Sequence, residues 1–266
     1  MKMMDFTRSK YTQLLTTLRQ AGYRFITFSD YCGKKVLPSD EKFVILRHDV
    51  DDKARNALLM AECETKMNIE ASYYFRVVPA SNQPHIIRQI AALGHEIGYH
   101  YEDMTICNGD AEQAKTHFAQ QLTYFRQFYP VRTICMHGAP RSRFDGKDLW
   151  KTCNYRDFDI VGEPYFDTDF ADVFYLTDTG RRWDGYKVSV RDKIPLFQDE
   201  WVRRNWVYHT TDDIVKAAAD GTLPPHIMIT THPQRWTNNR IEWITEWCMQ
   251  HLKNGVKRWL VMSNKR

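Results

Sequence analysis

The chain has 266 residues, 43% of them apolar and 26% charged, a composition that fits a globular protein long enough for one large core. Its net charge is only +4, and its 37 basic residues never form a run of five or six, which argues against a nucleic-acid tail or a polybasic membrane anchor. The start lacks the apolar stretch of a signal peptide, no later segment is apolar enough to span a bilayer, and the six cysteines show no C-x-x-C spacing, so a cytoplasmic protein with reduced, mostly buried thiols is expected.

Short β-branched or aromatic runs alternate with helical patterns, as in βα units around a parallel sheet or barrel. Residues 7–21 predict an amphipathic helix, with Tyr11, Leu14, Leu15 and Leu18 on one face. A short strand is expected at 25–28, a stronger one at 43–50 and a helix at 56–67. Strands at 71–77, 96–101 and 133–137 should then be separated by helices at 85–93 and 111–128. The stretch 140–199 is aromatic, Asp-rich and least regular, with strands expected near 158–161, 173–176 and 187–190. A helix at 212–219, a strand at 226–231 and a helix at 240–252 complete the pattern. The expected fold is α/β: a distorted or incomplete (β/α) barrel forming a single domain over 1–266, with its catalytic groups at strand C-termini.

Polar residues gather at those strand ends. In RHDVDD, at 47–52, alternation puts Arg47, Asp49 and Asp51 on one face and His48 and Val50 on the other. Two neighbouring carboxylates repel unless a cation, an arginine or a shared proton relieves them, and a metal with one ligand and one adjacent base is a natural resolution. The simpler reading makes Asp51 or Asp52 the cap of the next helix. In GHEIGYHYED, at 94–103, His100 and Glu102 share a face if the strand continues, whereas His95 reads as a turn residue with a local hydrogen bond. In ICMHGAP, at 134–140, His137 ends a strand, and Gly138 and Pro140 turn the chain tightly beside it. In IMITTHPQRW, at 227–236, His232 ends another strand, where an imidazole makes a suitable proton donor near neutral pH.

Taken in order, these segments resemble the polysaccharide deacetylase (NodB-homology, carbohydrate esterase) family over roughly residues 43–236. The resemblance implies a metal-dependent hydrolase that removes an N-acyl group, acetyl above all, from an amino sugar, a sugar nucleotide or a glycan precursor. By the Asp-x-Asp match Asp49 is the base and Asp51 a ligand; His100 is the first histidine ligand, and His232 the general acid. The implied cofactor is a divalent metal, zinc first. The family's second motif reads His-x-x-x-His, but here Met104 stands four residues after His100, and a thioether is a poor ligand for such an ion. Glu102 is expected to replace the missing histidine, with Asp103, His137 or water as alternatives. The arginine that steadies the base in the family has no counterpart in place, leaving Arg47 or Arg76 to substitute.

Trp183, Trp236 and Tyr165 are candidates for a sugar platform, although such rings serve a core equally well. Arg181 and Arg182 are candidates for a substrate carboxylate or phosphate, or for plain solvated surface. The competing reading is a non-catalytic carbohydrate-binding relative that keeps the cleft and has lost a competent metal site.

Overall fold

A parallel sheet accounts for most of the core in the computed structural model, which describes residues 4–33, 41–139, 142–185, 189 and 193–263, with side chains as far as 255. The chain runs α1 (Arg8–Gln20), β1 (Arg24–Ile26), α2 (Phe28–Cys32), β2 (Phe43–Val50), α3 (Ala54–Thr65), β3 (Ser72–Phe75) and α4 (Pro84–Ala92). It continues through β4 (Glu96–Tyr101), α5 (Asp103–Ile106), α6 (Ala111–Phe125), β5 (Ile134–Met136), α7 (Pro164–Asp167) and β6 (Phe174–Thr177). It closes with α8 (Pro195–Arg203), α9 (Thr211–Ala219), β7 (His226–Thr231) and α10 (Arg240–Ser263).

The sheet order is β5-β4-β3-β2-β7-β6, with β1 beside the first half of β2, and the sheet curls into a half-barrel surrounded by helices. Every pairing is parallel, so all the strand C-termini meet along one rim. β2 is central: β7 lies along one side, and β1 then β3 along the other, which is why all eight of its residues are buried. The expected amphipathic face of α1 is realised, with Tyr11, Leu14, Leu15 and Leu18 inaccessible to solvent.

Three local expectations fail for identifiable reasons. Phe28 does not extend β1, because Thr27 accepts a hydrogen bond from the Asp30 amide and caps α2 instead. The strand near 158–161 is replaced by a 3₁₀ turn over Tyr155–Phe158, and only Gly162 forms a bridge, to Thr133. None of the six cysteines is in a disulfide, but only Cys135 is buried; the others are half-buried or exposed. The strand expected at 187–190 lies, apart from Ser189, outside the described residues. Among the described residues no helix is long and apolar enough to cross a membrane.

Candidate active site

β2 builds the floor of the rim. Arg47 and Asp49 share its inner face, and the Arg47 guanidinium grips the Asp49 carboxylate at two points, Nε to Oδ1 at 3.2 Å and Nη2 to Oδ2 at 3.0 Å. Burial works to raise the Asp49 pKa, but Arg47, His100 and His232 outweigh it and hold the carboxyl below its ordinary range. Asp51 lies just beyond the strand. The N-cap of α3 is Lys53, without a side-chain cap bond, so neither Asp51 nor Asp52 caps that helix.

Three side chains converge on one point. Asp51 Oδ1 is buried, has no hydrogen-bond partner, and faces the Nε2 atoms of His137 at 3.3 Å and His100 at 3.5 Å. The far nitrogen of each ring meets an acceptor: His100 Nδ1 the Cys135 carbonyl at 2.9 Å, and His137 Nδ1 the Glu102 carboxylate at 3.0 Å. A carbonyl and a carboxylate only accept, so both Nδ1 atoms carry hydrogen, and a ring that gives up its other proton turns an Nε2 lone pair toward Asp51. A ring oriented by a bond to its remote nitrogen is the usual arrangement for a histidine metal ligand. Burial alone would lower the His137 pKa, but Asp51 and Glu102 raise it to about 9. Gln234 Nε2 donates to the other Asp51 oxygen at 3.3 Å.

Among the described residues, two sets of ligand-type atoms lie within 4.8 Å of one another: Asp51, His100 and His137, and, deeper, Asp49, His100 and Cys135. The deeper set is the poorer fit, because Arg47 already occupies both Asp49 oxygens. Glu102 belongs to neither set, against expectation. β4 ends at Tyr101, and Glu102, at φ −144° and ψ 27°, begins α5, so strand alternation does not carry its side chain to the rim point. Arg76 takes both its oxygens, each at 2.8 Å, and His137 shares one of them. Arg76 thus pairs with Glu102 and not with Asp49. Met104 is buried in α5.

His232 follows β7, with Nδ1 2.6 Å from Asp178 at the end of β6. Asp178 also accepts from the His232 amide (3.0 Å), Arg235 (2.5 Å) and Trp236 Nε1 (2.7 Å). Burial would raise the Asp178 pKa, yet Arg235 and His232 bring it down to about 2. For His232, burial and then Arg235 push downward, and Asp178 and Asp51 push upward and prevail. Its free face is Nε2, 3.9 Å from Asp51 Oδ2. Asp178 is not among the residues expected at the site: the strand expected near 173–176 runs one residue further, to Thr177, and that places Asp178 at a strand end. Glu163 was also missed: fully buried in the irregular segment, it accepts from the Met136 and Tyr165 amides, and burial pushes its carboxyl up to about 7.

The expected platform largely dissolves. Trp236 is 0% and Trp183 3% exposed, packed with Phe6 in the core, and neither can offer a face to a sugar. Arg182 is paired with Asp184, and the Arg181 guanidinium packs over the Phe6 and Trp243 rings. Tyr165 does lie beside the site, half-buried, with the Arg47 guanidinium 5.9 Å and the Lys147 ammonium 5.6 Å from its ring centre.

No protein-family model matches the chain, and no curated protein matches it. Among solved structures it is similar to BA3943 of Bacillus anthracis, described as a CE4 family pseudoenzyme, with 13% identity and a TM-score of 0.44, covering 81% of this chain and 62% of that one. A BA3943 mutant with restored enzymatic activity gives a TM-score of 0.45 at the same identity, with 81% and 64% covered. PdaA of Bacillus subtilis, described as a family 4 carbohydrate esterase, gives 0.41 at 13% identity, with 90% and 84% covered. By structure, the chain is similar to family 4 carbohydrate esterases. It spans less than two thirds of the length of BA3943.

Proposed function

We propose that the chain is a metal-dependent N-deacylase acting on an amino sugar, free, nucleotide-linked or in a glycan precursor, with acetyl as the favoured acyl group. The observation that supports this most is the buried Asp51 oxygen, which makes no hydrogen bond and lies within ion-pair range of two imidazoles already oriented by their remote nitrogens. Asp51, His100 and His137 would hold a divalent cation, for which zinc suits a set of two imidazoles and one carboxylate. Such a cation supplies Lewis acidity and makes water more acidic.

The chain's own groups then divide the proton transfers. Asp49, kept ionised by Arg47, takes the proton from the attacking water. His232, held by Asp178 through Nδ1, presents Nε2 and delivers a proton to the departing amine nitrogen. Separate anchors keep the two roles apart: the Asp49 base answers to an arginine, and the His232 acid to a carboxylate. Tyr165, beside the Arg47 guanidinium, and Lys147, beside the Tyr165 ring, are the residues proposed to touch the sugar.

The experiment is release of acetate from soluble N-acetyl amino sugars by zinc-loaded protein. The expected result is zinc-dependent release that falls roughly 10²–10⁴-fold in Asp49→Asn and in His232→Ala while bound zinc stays constant. No release at full zinc occupancy across free, nucleotide-linked and oligosaccharide substrates would leave the non-catalytic binder as the better reading.

A further inference from the structure

A second polar cluster lies on the opposite face of β2 from Arg47 and Asp49. Glu64 of α3 is fully buried, and its carboxylate accepts from Tyr11 of α1 at 2.6 Å and Tyr73 of β3 at 2.8 Å. His48 Nε2 lies 3.0 Å from the same carboxylate, and the Tyr73 ring stacks on the imidazole at 4.2 Å. The other nitrogen of His48 reaches Thr231 Oγ1 at 2.6 Å. His48, Glu64, Tyr11, Tyr73 and Thr231 are all 0% exposed. Apolar residues of similar volume would give comparable stability without the desolvation of a buried carboxylate, so a satisfied network of this kind suits a role in fixing geometry.

The location indicates which geometry. The β2–β7 ladder ends with the pair His48 and Thr231. One residue further on are Asp49, still paired with Tyr74 of β3, and His232, just past β7, and neither is paired across β2 and β7. The His48–Thr231 bond therefore clamps the two backbones where the ladder lets them go, and Glu64 fixes the imidazole that makes it.

We propose that His48 is a positioning residue, whose bridge to Thr231, backed by Glu64, sets the separation of Asp49 and His232. The mechanistic part rests on the base and acid roles given above, and the geometric part does not. Thr231→Val removes the hydroxyl at nearly constant volume and touches no rim group; Thr231→Ser restores it. In zinc-loaded protein, amide hydrogen exchange in Thr231→Val should quicken roughly tenfold at residues 49, 50 and 232 and stay unchanged at 44–46 and 227–229, as expected of a local opening. On N-acetyl amino sugars kcat should fall roughly tenfold to a hundredfold, with KM and bound zinc unchanged, as expected when reacting groups are misplaced. Thr231→Ser should recover both, and Thr231→Ala supplies the same readings if the valine variant does not accumulate. Exchange that quickens uniformly through the sheet, or does not change, would overturn the proposal. If the wild-type protein releases no acetate, the functional reading fails, and the exchange pattern still decides the clamp.

Discussion

Replacing Arg47 with methionine tests how Asp49, the proposed base, is held. Arg47 is 1% exposed and Asp49 5%, so the substitution leaves a buried carboxylate without its main counter-charge. Breaking a buried pair from one side costs about 3–5 kcal/mol, which for a chain of this size lowers the melting temperature by roughly 10 °C. The wild-type Asp49 pKa is depressed, so the stability it contributes is present above the unfolded value and lost as pH falls through the folded one. The gap between variant and wild type should therefore be widest near neutral pH and narrow below about pH 4. Without Arg47, burial dominates and the carboxyl rises, so the acid limb of kcat/KM should move to higher pH. Thermal melts from pH 3 to 8, with a pH–rate profile, measure both effects. The double variant Arg47→Met, Asp49→Leu should regain most of the lost stability, because no charge is left stranded. A single variant within about 1 kcal/mol of wild type, with an unmoved acid limb, would refute the claim that Arg47 steadies Asp49.

Three further outcomes follow from the same geometry. His137→Ala should weaken zinc binding by at least two orders of magnitude, taking ~3 kcal/mol as one ligand's share, and Glu102→Gln by roughly tenfold, as for a group that orients a ligand; zinc titrations giving the reverse order would restore Glu102 as the ligand. The Asp178 pKa, lowered from 3.8 to about 2, represents ~2 kcal/mol of stability that is present above pH ~4 and lost toward pH 2, so melts of Asp178→Asn should show a deficit at pH 7 that closes in acid. Trp183→Phe, which deletes the bond from Nε1 to Thr211, should cost ~1 kcal/mol and leave KM for the sugar unchanged, and a raised KM would bring Trp183 back as a platform.

The strand-end residues were legible because a parallel sheet delivers one end of every strand to one rim, and period-2 alternation then sorts Arg47 and Asp49 from His48. That logic ended where β4 ended. Glu102 looked like a partner of His100 only while the strand was taken to continue, and one residue of non-strand backbone turned it to Arg76. His137 comes from a different strand, and no local pattern pairs it with His100; sheet order alone brings β5 beside β4. Trp183 and Trp236 were misread because an aromatic run near a site has the same composition whether it covers a sugar or fills a core. Glu163 and the 3₁₀ turn preceding it lie in a segment without period, where only tertiary contacts choose the conformation.

Asp51, His100 and His137 are the proposed cation site. The zinc X-ray absorption spectrum of the metal-loaded protein tests it most directly, because the two candidate sets differ in one sulfur atom. The expected spectrum shows nitrogen and oxygen neighbours only, at about 2.0–2.1 Å, with the scattering pattern of two imidazoles. A zinc–sulfur distance of about 2.3 Å would instead place the ion on Asp49, His100 and Cys135, and contradict it.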